Sequence, residues 1–199
     1  MTHSEETIKK VVAKFFPDAE IVQVEQCHGG HINQTYFVDC KITPSDVNRY
    51  VLQCLNRKVF PDLSGLMDNV LRVSEQMSFY AKEHNMNMTR SYLHFVRTTD
   101  GAPAVDDKAL GFWRMYRYIN NAVGKLVAES PLEAFKTAEA FGLFQGMLSG
   151  ITGPRLVETI PSFHDTRKRF EKLERVAKED KLGRFEVSKD VYEAIMEIK

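Results

Sequence analysis

The feature that most constrains this chain is where its strand signals stop. Up to Asn120 the sequence alternates between short β-type runs and helical stretches; beyond it every periodic segment is helical. A chain of 199 residues divided in this way is expected to be α+β, with a mixed sheet-and-helix part followed by an all-helical part. The boundary falls at the run "YRYINN", giving one region over residues 1–117 and a second over 118–199.

Within the first part, Ile8, Val11, Val12 and Phe15 recur at helical spacing and predict a short amphipathic helix from about Glu5 to Phe16. Strand-like segments follow at Ile21–Cys27, Gln34–Lys41 and Tyr50–Leu55, reading as an antiparallel meander. Leu66, Val70, Val73, Met77 and Tyr80 then step by four, three, four and three, which predicts a long helix over about Leu63–His84. "SYLHFVRT" and "GFWRMYRYI" return to strand, joined through a turn at Asp100-Gly101. The expectation is five antiparallel strands and one long helix. In the second part, Ser130, Pro131 and Glu133 open a helix as N-cap, first and third residues. Two more amphipathic helices follow, the last marked by Val187, Val191, Ala194 and Ile198. That last pattern stops without a glycine or proline signal, so the chain is expected to be an N-terminal portion of a longer protein.

Charge and composition narrow the partners. Lys+Arg and Asp+Glu are both 27, so no global field draws the chain to nucleic acid or an anionic membrane. No apolar run is long enough to span a bilayer, and "MTHSEETIKK" is polar rather than a signal sequence. A cytoplasmic location is expected. Cys27, Cys40 and Cys54 are odd in number and sit in or beside strands, as small apolar fillers do.

The segment with most chemistry is "QCHGGHINQTYFV", two glycines and two histidines between two strands. His28 and His31 lack a third ligand at a zinc spacing, so no metal site is expected. The loop is neither G-x-G-x-x-G nor a Walker A sequence. What remains open is a plain chain reversal or a strand–turn–strand cradle that lays backbone N–H groups over ATP phosphates. The order of elements favours the cradle: glycine hairpin, third strand, long helix, two strands, then helices only.

"GGHINQTYFV", "RYVLQCLNRKVFPDLSGLMDNV", "FWRMYRYI" and "ETIPSFHDT" together resemble the N-acetylhexosamine 1-kinase group of the aminoglycoside phosphotransferase and choline kinase superfamily. The resemblance implies a protein-kinase-like N-terminal lobe followed by the first helices of an α-helical C-terminal lobe. It implies transfer of the ATP γ-phosphate to the anomeric hydroxyl of N-acetylglucosamine or N-acetylgalactosamine, with magnesium. On this reading Gly29, Gly30, His31, Ile32 and Asn33 form the phosphate-covering loop, with Thr35 beside it, and His31 lies nearest the acceptor. Gln53 stands where a kinase-like third strand carries lysine, and an amide brings no positive charge. Asp68 or Glu75 of the long helix is the candidate carboxylate partner, and Tyr118 and Ile119 the adenine-pairing hinge. Trp113 and Tyr116 read as core residues.

"FHDT" is not a catalytic loop, because His164 and Asp165 are adjacent and no asparagine follows Asn121 to complete H-x-D-x-x-x-x-N. Asp165 and Thr166 suit a helix cap, and the resemblance places His164 and Asp165 on the substrate side. No catalytic residue and no magnesium ligand is expected within these 199 residues, so the chain by itself is expected to be inactive and, with helix faces left uncovered, to self-associate. The alternative is a kinase-like module that binds nucleotide or regulates without phosphotransfer.

Overall fold

A computed structural model describes residues 3–43 and 45–198. Contacts divide the chain into two compact units, one ending at Thr159 and the other starting at Ile160.

The first unit opens with α1 (Glu5–Phe15), capped by the Ser4 hydroxyl, which accepts the Thr7 N–H at 3.2 Å. Its buried stripe is Ile8, Val11, Val12 and Phe15, the residues whose spacing predicted it. The sheet is built from β1 (Glu20–Cys27), β2 (Gln34–Thr43), β3 (Asp46–Cys54), β4 (Phe95–Val96), β5 (Val105–Asp107) and β6 (Gly111–Arg117). All pairings are antiparallel, in the order β1-β2-β3-β6-β4, with β5 also on β6.

The expectation of five strands is therefore corrected to six. The Asp100-Gly101 turn forms, with Gly101 at φ 84°, but it leads only into the three residues of β5. A second tight turn follows, in which the Asp107 carboxylate accepts the N–H groups of Ala109 and Leu110 at 2.7 and 2.9 Å. "SYLHFVRT" contributes only Phe95 and Val96 to the ladder. Its first half is diverted by local bonds: Ser91 Oγ donates to the Asn87 carbonyl at 2.7 Å, and Ser78 Oγ donates to the Tyr92 hydroxyl at 3.1 Å.

Because side chains alternate across a strand, the two sheet faces separate cleanly. One face carries Tyr36, Val38, Cys40, Tyr50, Leu52, Trp113 and Met115, packed with the α1 stripe. Trp113 is wholly buried there, as expected, and its indole N–H donates to the Leu110 carbonyl at 2.7 Å. The other face meets α2 (Leu63–Glu83) through Leu55, Leu63, Leu66, Met67, Ala104 and Phe112. This cluster covers only the β6 end of that face.

The helix α3 (Pro131–Leu148) is capped as its sequence predicts, Ser130 accepting the Glu133 N–H at 3.2 Å. Gln76 donates to the Met147 carbonyl at 3.1 Å, and Arg72 to the carbonyls of Thr152 and Pro154. Asn69 and the Val157 backbone exchange two bonds at 2.8 and 2.9 Å. These bonds hold residues 147–157 against α2, so the expected division at 117/118 falls inside the first compact unit. Met147 is the one buried residue of α3, while Leu132, Phe135 and Phe141 are exposed.

The second unit contains α4 (Thr166–Glu179) and α5 (Phe185–Glu197), neither with a buried residue. In α5 the expected stripe is exposed at Val187, Val191 and Ile198; Phe185 and Tyr192 pack edge to face instead, 5.3 Å apart. No helix among the described residues is long and apolar enough to cross a membrane.

Leu52 is fully buried and Phe135 is largely exposed. Leu52→Ala is expected to destabilise the first unit by about 2–5 kcal/mol, whereas Phe135→Ala should shift it by no more than about 0.5 kcal/mol. Urea unfolding followed by circular dichroism measures both.

Candidate functional site

The sheet face not covered by α1 carries the polar residues singled out in the sequence. Register sets Cys27 opposite Thr35, Thr35 opposite Gln53, and Gln53 opposite Arg114, forming one row across β1, β2, β3 and β6. Side chains bond from Thr35 through Gln53 to Arg114. Gln53 Nε2 donates to Thr35 Oγ1 at 3.0 Å, and Gln53 Oε1 accepts from Arg114 Nε and Nη2 at 3.0 and 2.9 Å.

The β1–β2 loop adjoins this row, since Cys27 and Thr35 are its last ladder pair. His28, Gly29, Gly30, His31 and Ile32 are all exposed. Neither glycine has a positive φ. A Cβ on Gly29 would meet nothing within 4 Å, and one on Gly30 only the Asn33 carbonyl oxygen at 3.5 Å. The turn itself does not require glycine at either position, and what the absent side chains leave is open space above the loop. Asn33 fastens the loop from below, its Oδ1 accepting the Asn56 N–H at 3.1 Å.

A second row holds Glu25, Phe37, Val51 and Tyr116, and a third holds Asp39 and Arg49. Arg49 makes a fork on Asp39, with Nε–Oδ1 and Nη2–Oδ2 both 2.8 Å, and lies over the rings of Phe37 and Tyr118. Hydrogen bonding from Arg49 holds the Asp39 carboxyl below its ordinary value and raises the guanidinium in return. Tyr116 is half-buried, tilted against Phe95 with ring centres 5.4 Å apart, and burial pushes its hydroxyl up.

At the hinge, the Tyr118 N–H donates to the Arg49 carbonyl at 3.1 Å, extending the β3–β6 pairing by one residue. That donor is taken by the sheet, so of the two expected hinge residues Ile119 is the one whose backbone holds no partner among the described residues. Arg90 donates to the carbonyls of Asn120 and Asn121 and ties down the chain beyond it.

The other expected positions lie elsewhere. Asp68 and Glu75 are exposed and off the packed stripe of α2, where Leu63, Leu66 and Met67 face the sheet; Asp68 lies 3.9 Å from Arg72 instead. The α2 residues that pack with Leu55 and Phe112 are Leu63, Leu66 and Met67. His164 and Asp165 belong to the second unit. His164 is exposed with its ring against Phe163, and Asp165 caps α4 by accepting the Lys168 N–H at 3.0 Å, which lowers its carboxyl.

Sequence reasoning missed Arg114. Its signal was an arginine alternating with Phe112 and Tyr116 inside an otherwise apolar strand, and only the register showed that it meets Gln53. All three cysteines are free thiols, and burial pushes that of Cys40 up to about 11. No group of three or more His, Cys, Asp or Glu side chains gathers among the described residues. No protein-family model matches the chain.

Together the row, the loop and the segment at Tyr118 and Ile119 can present N–H donors and one cation to an anionic group, beside the half-buried ring of Tyr116. If the glycines serve a ligand rather than the turn, Gly29→Ala should leave stability unchanged or raise it by up to about 1 kcal/mol. Gly29→Val should weaken ATP binding by about tenfold or more, as a side chain placed where a phosphate approaches the backbone would. Thermal unfolding and calorimetry measure the two effects; equal ATP affinity in Gly29→Val and the parent contradicts the reading.

Proposed function

We propose that residues 1–117 are the nucleotide-binding lobe of an ATP-dependent sugar kinase, whose acceptor is the anomeric hydroxyl of an N-acetylhexosamine. The observation that carries this is a glycine loop that the turn does not require, adjoining a hydrogen-bonded polar row on the open face of the sheet. The hinge lies on the same strands. From Gln53 to Arg49, the partner of Tyr118, is four residues along β3, or about 13 Å at the usual strand rise. That length accommodates a base near Val51, Tyr116 and Ile119 and phosphates near Thr35 and Gln53. The sequence resemblance supplies the sugar.

In this reading the residues bind and orient. The loop N–H groups of Gly29 to Asn33 cover the phosphates, Asn33 holds the loop to Asn56, and Gln53 turns its amide along the row. Magnesium, where bound, would neutralise charge on the phosphates. Cys27, Thr35, Gln53 and Arg114 offer it no carboxylate, so no step is drawn through it. His31, in the exposed loop, is the residue nearest an acceptor.

The row's lack of any carboxylate favours a second reading, a module that binds nucleotide and does no chemistry. Both readings agree that these 199 residues bind ATP and do not transfer its phosphate, for no H-x-D-x-x-x-x-N is present to take the hydroxyl proton. Calorimetry should therefore show ATP binding, and a coupled assay with N-acetylglucosamine should show no turnover. No ATP binding by the folded chain overturns both readings; turnover at about 1–100 per second, the usual kinase range, overturns the expected inactivity.

Exposed Leu132, Phe135 and Phe141 make α3 an apolar surface, and we propose that the chain self-associates through it. Light scattering should show mass rising with concentration and less so for Phe135→Ser; a monomer at all concentrations contradicts this.

A further inference from the structure

The lysine expected of a kinase-like third strand is replaced by Gln53, which leaves the question of what opposes phosphate charge. The nearest cation comes from the adjacent strand. Arg114 reaches across from β6 and places Nε and Nη2 on the Gln53 amide oxygen, at 3.0 and 2.9 Å. We propose that Arg114, held by Gln53, is the anion-binding residue of this face and takes a phosphate of the nucleotide.

Three observations support this assignment. First, the charge is not neutralised within the protein. The hydrogen bonds of the guanidinium are to an amide oxygen, its other close contact is the Phe95 ring at 5.6 Å, and no salt bridge reaches it among the described residues. Every other arginine on this face of the sheet differs, since Arg49 is matched by Asp39. Second, the residue borders a cavity of about 470 Å³ between α2, the loop before β4 and β6, which also receives Arg90 and is lined by no Asp or Glu. Third, burial pulls the guanidinium below its ordinary value, yet arginine stays charged. A half-buried cation without a counter-charge is unfavourable in a fold of zero net charge unless an anion completes it.

The geometry also says why Gln53 suits this place. Its oxygen orients Arg114 while an amide N–H is spent on Thr35, so the glutamine acts as a positioning residue, and guanidinium donors beyond the two on Gln53 are left for an anion. A lysine at position 53 would repel Arg114, and a glutamate would neutralise it. An amide does neither.

This inference rests on the nucleotide reading, and the test separates the two. The folded 199-residue chain and its Arg114→Met and Arg114→Lys variants are titrated by calorimetry with ATP, adenosine and inorganic tripolyphosphate. Arg114→Met should lower ATP affinity by about tenfold or more, as loss of a charge-assisted phosphate contact does, abolish tripolyphosphate binding and leave adenosine within about twofold. Arg114→Lys should fall between the parent and Arg114→Met, since it keeps the charge and loses the fork. Phenylglyoxal labelling of the unmutated chain, read by mass spectrometry, serves if a variant does not fold: tripolyphosphate should protect Arg114. ATP binding within about twofold in folded Arg114→Met, or an Arg114 labelled equally with and without tripolyphosphate, overturns the proposal. Protection by tripolyphosphate with no ATP or adenosine binding would uphold the anion site and overturn the nucleotide reading.

Discussion

The pairing of β3 with β6 is the constraint on which the rest of the structure depends. These two strands lie inside the sheet, and their register sets Leu52 opposite Met115, Gln53 opposite Arg114 and Cys54 opposite Trp113. A slip of β6 by one residue against β3 would turn Trp113 and Met115 away from α1 and drive Arg114 into an apolar layer. The penalty for burying an unmatched guanidinium there adds to the loss of the core. Dry packing on one face and polar display on the other are thus one choice of register seen from two sides.

The two helices that touch the sheet divide the labour. α1 seals one face with four aliphatic and aromatic side chains and contributes no polar group to it. α2 packs its first half on Leu55 and Phe112 and uses a different stripe, Asn69, Arg72 and Gln76, to hold the backbone of residues 147–157. Because α2 ends its apolar contact early, the β1–β3 part of the face stays open beside the glycine loop. The stretch after the hinge is consequently anchored through side chain to backbone bonds rather than through a second hydrophobic core.

Much of this was legible in the residues. Helical spacing located α1, α2 and α3 within a residue or so, because each has either a long apolar stripe or a cap that local chemistry specifies, as Ser130 with Pro131 does for α3. The first two strands were equally clear, but β3 begins at Asp46, four residues before the expected Tyr50, because Asp46 to Arg49 extend the ladder with β2 through residues that read as loop. β4 and β5 were not clear, since Ser91 and Tyr92 read as strand but spend their hydroxyls on Asn87 and Ser78, bonds that periodicity does not encode. The site shows the same division. Gln53 and Thr35 were singled out through the resemblance and lie side by side in the sheet, whereas the contact of Arg114 with Gln53 depends on cross-strand register, and the exposure of Asp68 and Glu75 on which stripe of α2 turns inward. Each of those is decided by packing between segments distant in sequence.

The glycines of the β1–β2 loop carry one more implication. Backbone geometry places no demand on Gly29 or Gly30, and neither would clash if enlarged by a methyl group. Folding is thus indifferent to what occupies these positions. Under the proposed nucleotide reading, side chains could fill the space above the loop and end binding while the core stayed unchanged, so loss of function and loss of fold are separable at two surface residues.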